Sequence, residues 1–244
     1  MSTVDAARPR IVRSLPPALI AVLVVSACQA TPTPSMASAA PTTTAATATE
    51  SPAPSATPST TVSPASEVTG SSGALPPGRY TRRGFEPRIT FELDGPWRSV
   101  NVFHDFFDVQ QDVGSPDVIA VQFALPRLVY PRPDQPAEVP DAAAGVVALH
   151  GNTRLKTVET STSKIGGLDG FQITVENPAD ESGDVAVLVV GPGALSISPG
   201  RRLWCAFFDT PQGILAILVG GSVEKWDEAL EAAEPVLESV TIGE

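Results

Sequence analysis

Leu203-Trp204-Cys205-Ala206-Phe207-Phe208-Asp209-Thr210-Pro211-Gln212-Gly213-Ile214-Leu215-Ala216-Ile217-Leu218-Val219 decides the fold. Two apolar runs flank Asp209-Thr210-Pro211-Gln212-Gly213, which carries the proline and glycine of a tight turn. Each run has strand length and reads as one arm of a hairpin. A half-buried strand alternates apolar and polar residues, whereas these runs are apolar at every position. Both faces of the hairpin therefore need covering, and the rest of the chain must supply the two covers.

Downstream, the pattern changes to helical spacing. Trp226, Leu230, Ala233 and Leu237 form one apolar stripe, and Glu224, Asp227 and Glu228 suit the positive end of a helix. Ser222 is placed to cap it, and Pro235 is expected to kink or restart it. Ser239 to Ile242 then reads as a short closing strand.

Upstream, Lys156–Ile165 and Phe171–Glu176 read as a hairpin around Gly166-Gly167-Leu168-Asp169-Gly170. Val185–Val190, continuously apolar, reads as a strand central to its sheet. A helix capped by Asp141 is expected to run to about His150, with Ala144, Val147 and Leu149 among its buried candidates. Gly145 weakens it. Ile89, Phe91 and Leu93 alternate with polar residues as a half-buried strand, and Val100–Val102 and Val118–Phe123 read as further strands. Trp97 reads as a core anchor. The prolines from Pro126 to Pro140 break regular structure between them. Strands outnumber helices and are mostly joined as hairpins. The expected class is α+β, an antiparallel sheet packed with two main helices, as one domain over 75–244.

Before that domain lie two segments of different character. Residues 28–74 are dominated by Thr, Pro, Ser and Ala and hold no core-forming pattern, so they read as an extended tether. At ~3.1 Å per residue it would reach roughly 140 Å. It reads either as a bare spacer or as an O-glycosylated stalk. Residues 1–27 carry Arg8, Arg10 and Arg13, then the short apolar run Ala18–Val25. That order is a secretory signal peptide; the run is about half the length of a spanning helix. Its ending, Val25-Ser26-Ala27-Cys28, resembles the lipobox of bacterial lipoproteins. The resemblance implies cleavage before Cys28 and lipid on its sulfur, hence an extracytoplasmic protein anchored to the cell membrane through Cys28. A plain signal peptide is the other reading.

The full chain carries a net charge of −11, and loss of residues 1–27 would remove three arginines and one aspartate. Such an acidic chain repels phosphate backbones and anionic headgroups, so nucleic acid is not expected as a partner. There are two cysteines. With Cys28 lipidated, Cys205 has no disulfide partner, and within its apolar run it reads as a small buried hydrophobe.

The domain also resembles a known group. Leu75-Pro76-Pro77-Gly78-Arg79-Tyr80, Phe85-Glu86-Pro87, Ile89-Thr90-Phe91 and Trp97, then Gly167-Leu168-Asp169-Gly170-Phe171 and Leu237-Glu238-Ser239-Val240, are similar to the PsbP-like α/β sandwich, also seen in LpqN-type lipoproteins. Those residues are turns and core positions. What the resemblance implies is a non-catalytic binding or accessory module.

Chemistry-bearing clusters are few. His104-Asp105 with Asp108 and Asp112 is the nearest approach to a metal set, against which stands a solvated acidic edge. Asp180, Glu181 and Asp184 read first as a polar turn. Gly191-Pro192-Gly193 lacks the third glycine and following helix of a phosphate loop, and reads as a turn between strands. No Gly-x-Ser-x-Gly or His-Glu-x-x-His is present, and no metal or cofactor is expected. The leading expectation is a monomeric, non-catalytic module that binds a small molecule or an envelope protein. An apolar cleft between the sheet and the helix of Trp226 is the expected small-molecule site, with Trp226 and Trp97 as candidate ligand-binding residues. The competing expectation is an envelope hydrolase using His104 or a carboxylate pair.

Overall fold

The computed structural model describes residues 64–69 and 73–243. Residues 25–28, and with them the proposed cleavage motif and lipidated Cys28, lie outside the described residues, as does most of the expected tether. In chain order the elements are β1 (Ser66–Glu67), β2 (Ala74–Leu75), β3 (Gly78–Thr81), β4 (Arg88–Leu93), β5 (Trp97–Val102), β6 (Phe106–Gln111), β7 (Ile119–Ala124), β8 (Leu128–Arg132) and β9 (Gln135–Ala137). After these come α1 (Ala142–Gly151), β10 (Lys156–Ile165), β11 (Leu168–Asn177), β12 (Val185–Val190), β13 (Gly193–Ile197), β14 (Arg201–Thr210), β15 (Gly213–Ser222), α2 (Trp226–Ser239) and β16 (Thr241–Gly243).

The expected hairpin of 203–219 is β14–β15, in continuous register from Arg201↔Ser222 to Thr210↔Gly213. It lies in the middle of an eight-stranded antiparallel sheet of order β10-β11-β14-β15-β7-β6-β5-β2. Its two faces divide as the continuous apolar run requires. Ala206, Phe208, Leu215, Ile217 and Val219 join one core. Leu203, Cys205, Phe207, Ala216 and Leu218 join the other. The first core is closed by the four-stranded sheet β1-β3-β4-β16 and by α2, through Phe91, Ala233 and Val236. The second is closed by the four-stranded sheet β13-β12-β8-β9 and by α1, through Leu149, Val187 and Leu188. The class is α+β, with strand content well above the single sheet expected, because each cover is mostly sheet.

Several local expectations hold for the stated reasons. Asp141 caps α1, its Oδ1 accepting the Ala144 N–H at 2.7 Å. Gly191-Pro192 is the turn joining β12 to β13. Cys205 is 0% exposed, and burial pushes its thiol well above its ordinary value.

Others are corrected. Gly145 is not merely a weak point of α1: a Cβ there would sit 2.9 Å from the Phe207 ring, so the glycine lets the helix lie directly on the sheet. Ala142, Gly145, Ala148 and Leu149 form the buried side of α1, while Val147 is 69% exposed. Val185–Val190 is an inner strand, but of a covering sheet rather than the main one. The proline-rich stretch is not unbroken loop, since it holds the β8–β9 hairpin. Pro131, with no N–H to give, lies where that ladder shifts between Val129 and Arg132. Ser222 ends β15 instead of capping α2; its Oγ accepts the Lys225 N–H at 3.2 Å, and the helix starts at Trp226. Pro235 sits inside α2, which runs from Trp226 to Ser239.

The fold also reaches further back than residue 75. Ser66–Glu67 pairs in parallel with Tyr80–Thr81, and Val68 is 0% exposed in the first core. Glu67 faces Arg82 at 3.6 Å and Arg83 at 3.4 Å. Among the described residues no helix is long and apolar enough to cross a membrane.

Candidate functional site

An open cleft of about 960 Å³ lies at one end of the main sheet, on the face that carries Cys205 and Leu218. Strand alternation places its floor: Ala120 and Gln122 alternate with the core residues Val121 and Phe123, and Gly220 and Leu203 continue the same face on β15 and β14. Gln110 of β6 completes the floor. The walls are the Ser115–Val118 connection, the Leu195–Gly200 segment that includes the end of β13, and Ser222–Lys225 ahead of α2.

Each cation of this cleft has a partner within the protein, although the buried Arg202 Nε–H has none among the described residues. Arg201 donates from its two terminal nitrogens to the carbonyls of Pro116 at 2.7 Å and Val118 at 2.6 Å, fixing the wall to the sheet end. Arg202 donates to Glu176 at 2.8 Å and lies 5.5 Å from the centre of the Trp226 ring. Lys156, opposite Glu176 on β10, adds a second contact at 3.5 Å. Lys225 holds Asp117 at 2.9 Å. The Arg202 hydrogen bond is the main cause that keeps the Glu176 carboxyl below its ordinary value, against the opposing effect of burial.

That shift has a measurable consequence. A carboxyl depressed in the folded state binds its proton more readily when unfolded. Its contribution is therefore fully present above the ordinary value of 4.5 and is lost as pH falls through the lower folded value. Urea midpoints measured from pH 6 down to pH 3 should fall more steeply for the natural protein than for Glu176→Gln. Equal slopes would mean that Glu176 does not couple to folding.

One polar group of the floor is not engaged. Gln122 is 9% exposed, and its Oε1 has no hydrogen-bond partner among the described residues. Gln110, its neighbour across the ladder diagonal, gives its amide to Asp108 at 2.7 Å. A lone glutamine within the apolar run Val118–Phe123 was the one sequence signal of this floor, and spacing alone could not tell it from an exposed strand position.

The residues singled out from sequence fall elsewhere. Asp108 is neither a solvated edge residue nor a ligand facing others. It is 0% exposed and accepts from the Val100 N–H (3.3 Å), the Asn101 N–H (2.8 Å), the Asn101 amide (2.9 Å) and Gln110. It thereby fastens the irregular part of the β5–β6 ladder between Ser99 and Val102. Asp105 accepts the Gly191 N–H at 2.8 Å and lies 3.8 Å from the Arg127 guanidinium. His104 is exposed between β5 and β6, and Asp112 turns the chain after β6 at φ +51°. Among the described residues no three His, Cys, Asp or Glu side chains gather as a metal set. His150 is exposed near the end of α1, its Nδ1 3.1 Å from the Thr157 hydroxyl. The 180–184 segment is a turn whose carbonyls at Ser182 and Gly183 accept from Arg154 at 2.5 and 3.2 Å.

Trp97 and Trp226 do not meet in the cleft. Trp97 is 0% exposed in the first core, beneath a groove of about 570 Å³ formed with Leu75, Pro76, Pro77 and Pro96. Trp226 packs on Gly221, where a Cβ would stand 3.5 Å from the indole and 2.6 Å from Ala229.

No family model and no curated protein matches this chain. Two solved structures are similar to it. One is the crystal structure of LpqN, involved in cell envelope biogenesis of Mycobacterium tuberculosis, at 13% identity and a TM-score of 0.41, covering 69% of this chain and 92% of that one. The other is the solution structure of cyanobacterial PsbP from Synechocystis sp. PCC 6803, at 13% identity and a TM-score of 0.39, covering 71% of this chain and 96% of that one.

Proposed function

We propose that this chain is an extracytoplasmic lipoprotein, anchored through Cys28, whose folded domain binds without catalysing, and that the cleft over Gln122 is where it binds. The cleft's chemistry carries the reading. A catalytic site keeps a nucleophile, acid or base free to act on the substrate. Here Arg201, Arg202, Lys225, Glu176 and Asp117 are all held by partners of the same chain, and the other charged residue of the lining, Glu224, is a single carboxylate exposed on the wall. The thiol of Cys205 is sealed in the core, and neither histidine lines the cleft. What the floor leaves open is an acceptor, the Gln122 carbonyl oxygen, which suits a ligand with an N–H or O–H to give. The volume lies within the range of sites that take small ligands or a short chain segment.

Two measurements test the two halves of this reading. In detergent phase separation of native membranes, the natural protein should enter the detergent phase and Cys28→Ala the aqueous phase; an unchanged partition would end the anchor. For the cleft, a photo-reactive benzoylphenylalanine placed at Ser198 on the rim should give a covalent adduct in intact cells. The same group at Val147, on the far exposed side of α1, should give none. Equal labelling at both positions, or none at Ser198, would overturn the cleft as the binding site.

A further inference from the structure

The wall of the cleft suggests what occupies it. Among the described residues β13 is the edge strand of its sheet, paired with β12 on one side only. Leu195, Ser196, Ile197 and Ser198 all line the cleft. Consecutive residues of a strand point to opposite faces, so a cleft that touches each of them in turn runs along the edge and not over one face.

Exposed edges are ordinarily defended by charge, by proline or by being very short, because their free main-chain groups invite pairing. The other edges follow that rule. β10 carries Lys156, Glu159 and Lys164; β9 carries Pro136; β1 and β2 have two residues each, and β16 has three. β13, Gly-Ala-Leu-Ser-Ile, is five residues long without a charge or a proline. The edge without charge or proline is thus the one that borders the cleft, with only the Ile197 carbonyl at its end already taken, by the Asn177 amide at 2.8 Å. Below it lies the unpartnered oxygen of Gln122, nine-tenths buried. Rotation of its terminal amide is soft enough to follow a ligand.

We infer that the cleft takes an extended, uncharged peptide segment that adds to β13 as a further strand, with Gln122 accepting a hydrogen bond from it. This rests on the cleft being the binding site. Main-chain pairing to β13 supplies affinity, and alternate side chains of the peptide reach the floor at Ala120 and Leu203. The uncharged character follows from the pair Arg202–Glu176, which lines the cleft with side chains 19% and 10% exposed: a charge set against it would have to break that pair or stay unpaired, whereas Lys225, Asp117 and Glu224 are open to solvent and exert no such selection.

The test uses the full chain and a phage-displayed pool of random nonapeptides. Uncharged sequences should be enriched, and a synthetic peptide made from the winner should slow hydrogen exchange at the amides of Gly193–Ile197. N-methylation of alternate peptide residues should abolish binding in one phase and leave it unchanged in the other, the period of a strand. Ser196→Lys, on the exposed side of β13, should weaken binding about tenfold or more, and Ala194→Glu serves as an independent second block. Protection elsewhere, no dependence on N-methylation phase, or indifference to both substitutions would overturn the inference. Failure to enrich any peptide would overturn it too. In that case the adduct at position 198 decides whether the cleft still binds something else or whether both readings fall together.

Discussion

Replacing Phe207 with alanine should lower the unfolding free energy by about 3–5 kcal/mol, the range for removing a buried aromatic ring. Phe207 is 0% exposed and stands between the main sheet and α1. A cavity there has little means of closing. The sheet is held in continuous register by β14–β15, and α1 is fixed at its start by Asp141 and by the Asp209 carboxylate, which accepts the Ala142 N–H at 2.9 Å. The urea midpoint should fall with the slope unchanged, and the melting temperature should drop by roughly 10 °C for a domain of this size. Gly145 gives a sharper form of the same prediction. In the natural protein Gly145→Ala pushes a methyl to within 2.9 Å of the ring and should destabilise. In the Phe207→Ala background the same methyl enters the vacated space and should be neutral or favourable. Additive effects of the two substitutions would contradict the contact between them.

The second large effect is expected at Gly170. This residue of β11 lies opposite Phe208, and a Cβ there would stand 2.3 Å from the Phe207 carbonyl oxygen and 2.6 Å from the Phe208 ring. The obstruction is backbone, so no rotamer change relieves it. Gly170→Ala must separate β11 from β14 locally and should cost about 3 kcal/mol, the upper part of the range for overpacking. Gly193→Ala is the matched control, since nothing lies within 4 Å of its added methyl. It should change stability by less than about 0.5 kcal/mol. Thermal unfolding of the two variants side by side checks both, and a mild effect at Gly170 would mean that β11 sits further from β14 than the register implies.

The central hairpin was legible in sequence because residues 203–208 and 214–219 are apolar at every position, which admits only a strand pair buried on both sides. The Asp141 cap was legible for an equally local reason. Legibility failed where pairing partners, rather than the segment itself, decide the outcome. Pro131 is compatible with a strand only because the ladder shifts around it. Ser66–Glu67 forms a strand because β3 is there to receive it, and its flanking Ser- and Thr-rich composition gives no hint of that. Gly145 and Gly170 look like weak points from propensity alone; their purpose is close approach, which only the neighbouring Phe207 reveals.

The candidate site was less legible still. Asp108 stood out as one of a cluster of potential ligands, yet its four hydrogen-bond donors come from β5 and β6, and two of them are main-chain groups that carry no residue identity. Arg201 and Arg202 attract notice as a pair, but alternation sends them to opposite faces, one to the carbonyls of 116 and 118 and the other to Glu176. Gln122 is silent in sequence because what marks it is the absence of a partner, a property of its surroundings.

The small sheet β1-β3-β4-β16 has a consequence for how this protein comes into being. Its β4 is completed by β16, and the Glu92 N–H reaches the Ser239 hydroxyl across 147 residues of chain. Whether the polypeptide emerges from a ribosome or from a translocon, the N-terminal portion arrives first. Phe91 has Tyr80, Phe107 and Phe123 against its ring, all made before α2, but β4 gains its second partner strand only when Thr241–Gly243 arrive. The strand that closes this sheet is thus the last one made, so its two ends are joined only once the whole of the domain between them has been synthesised.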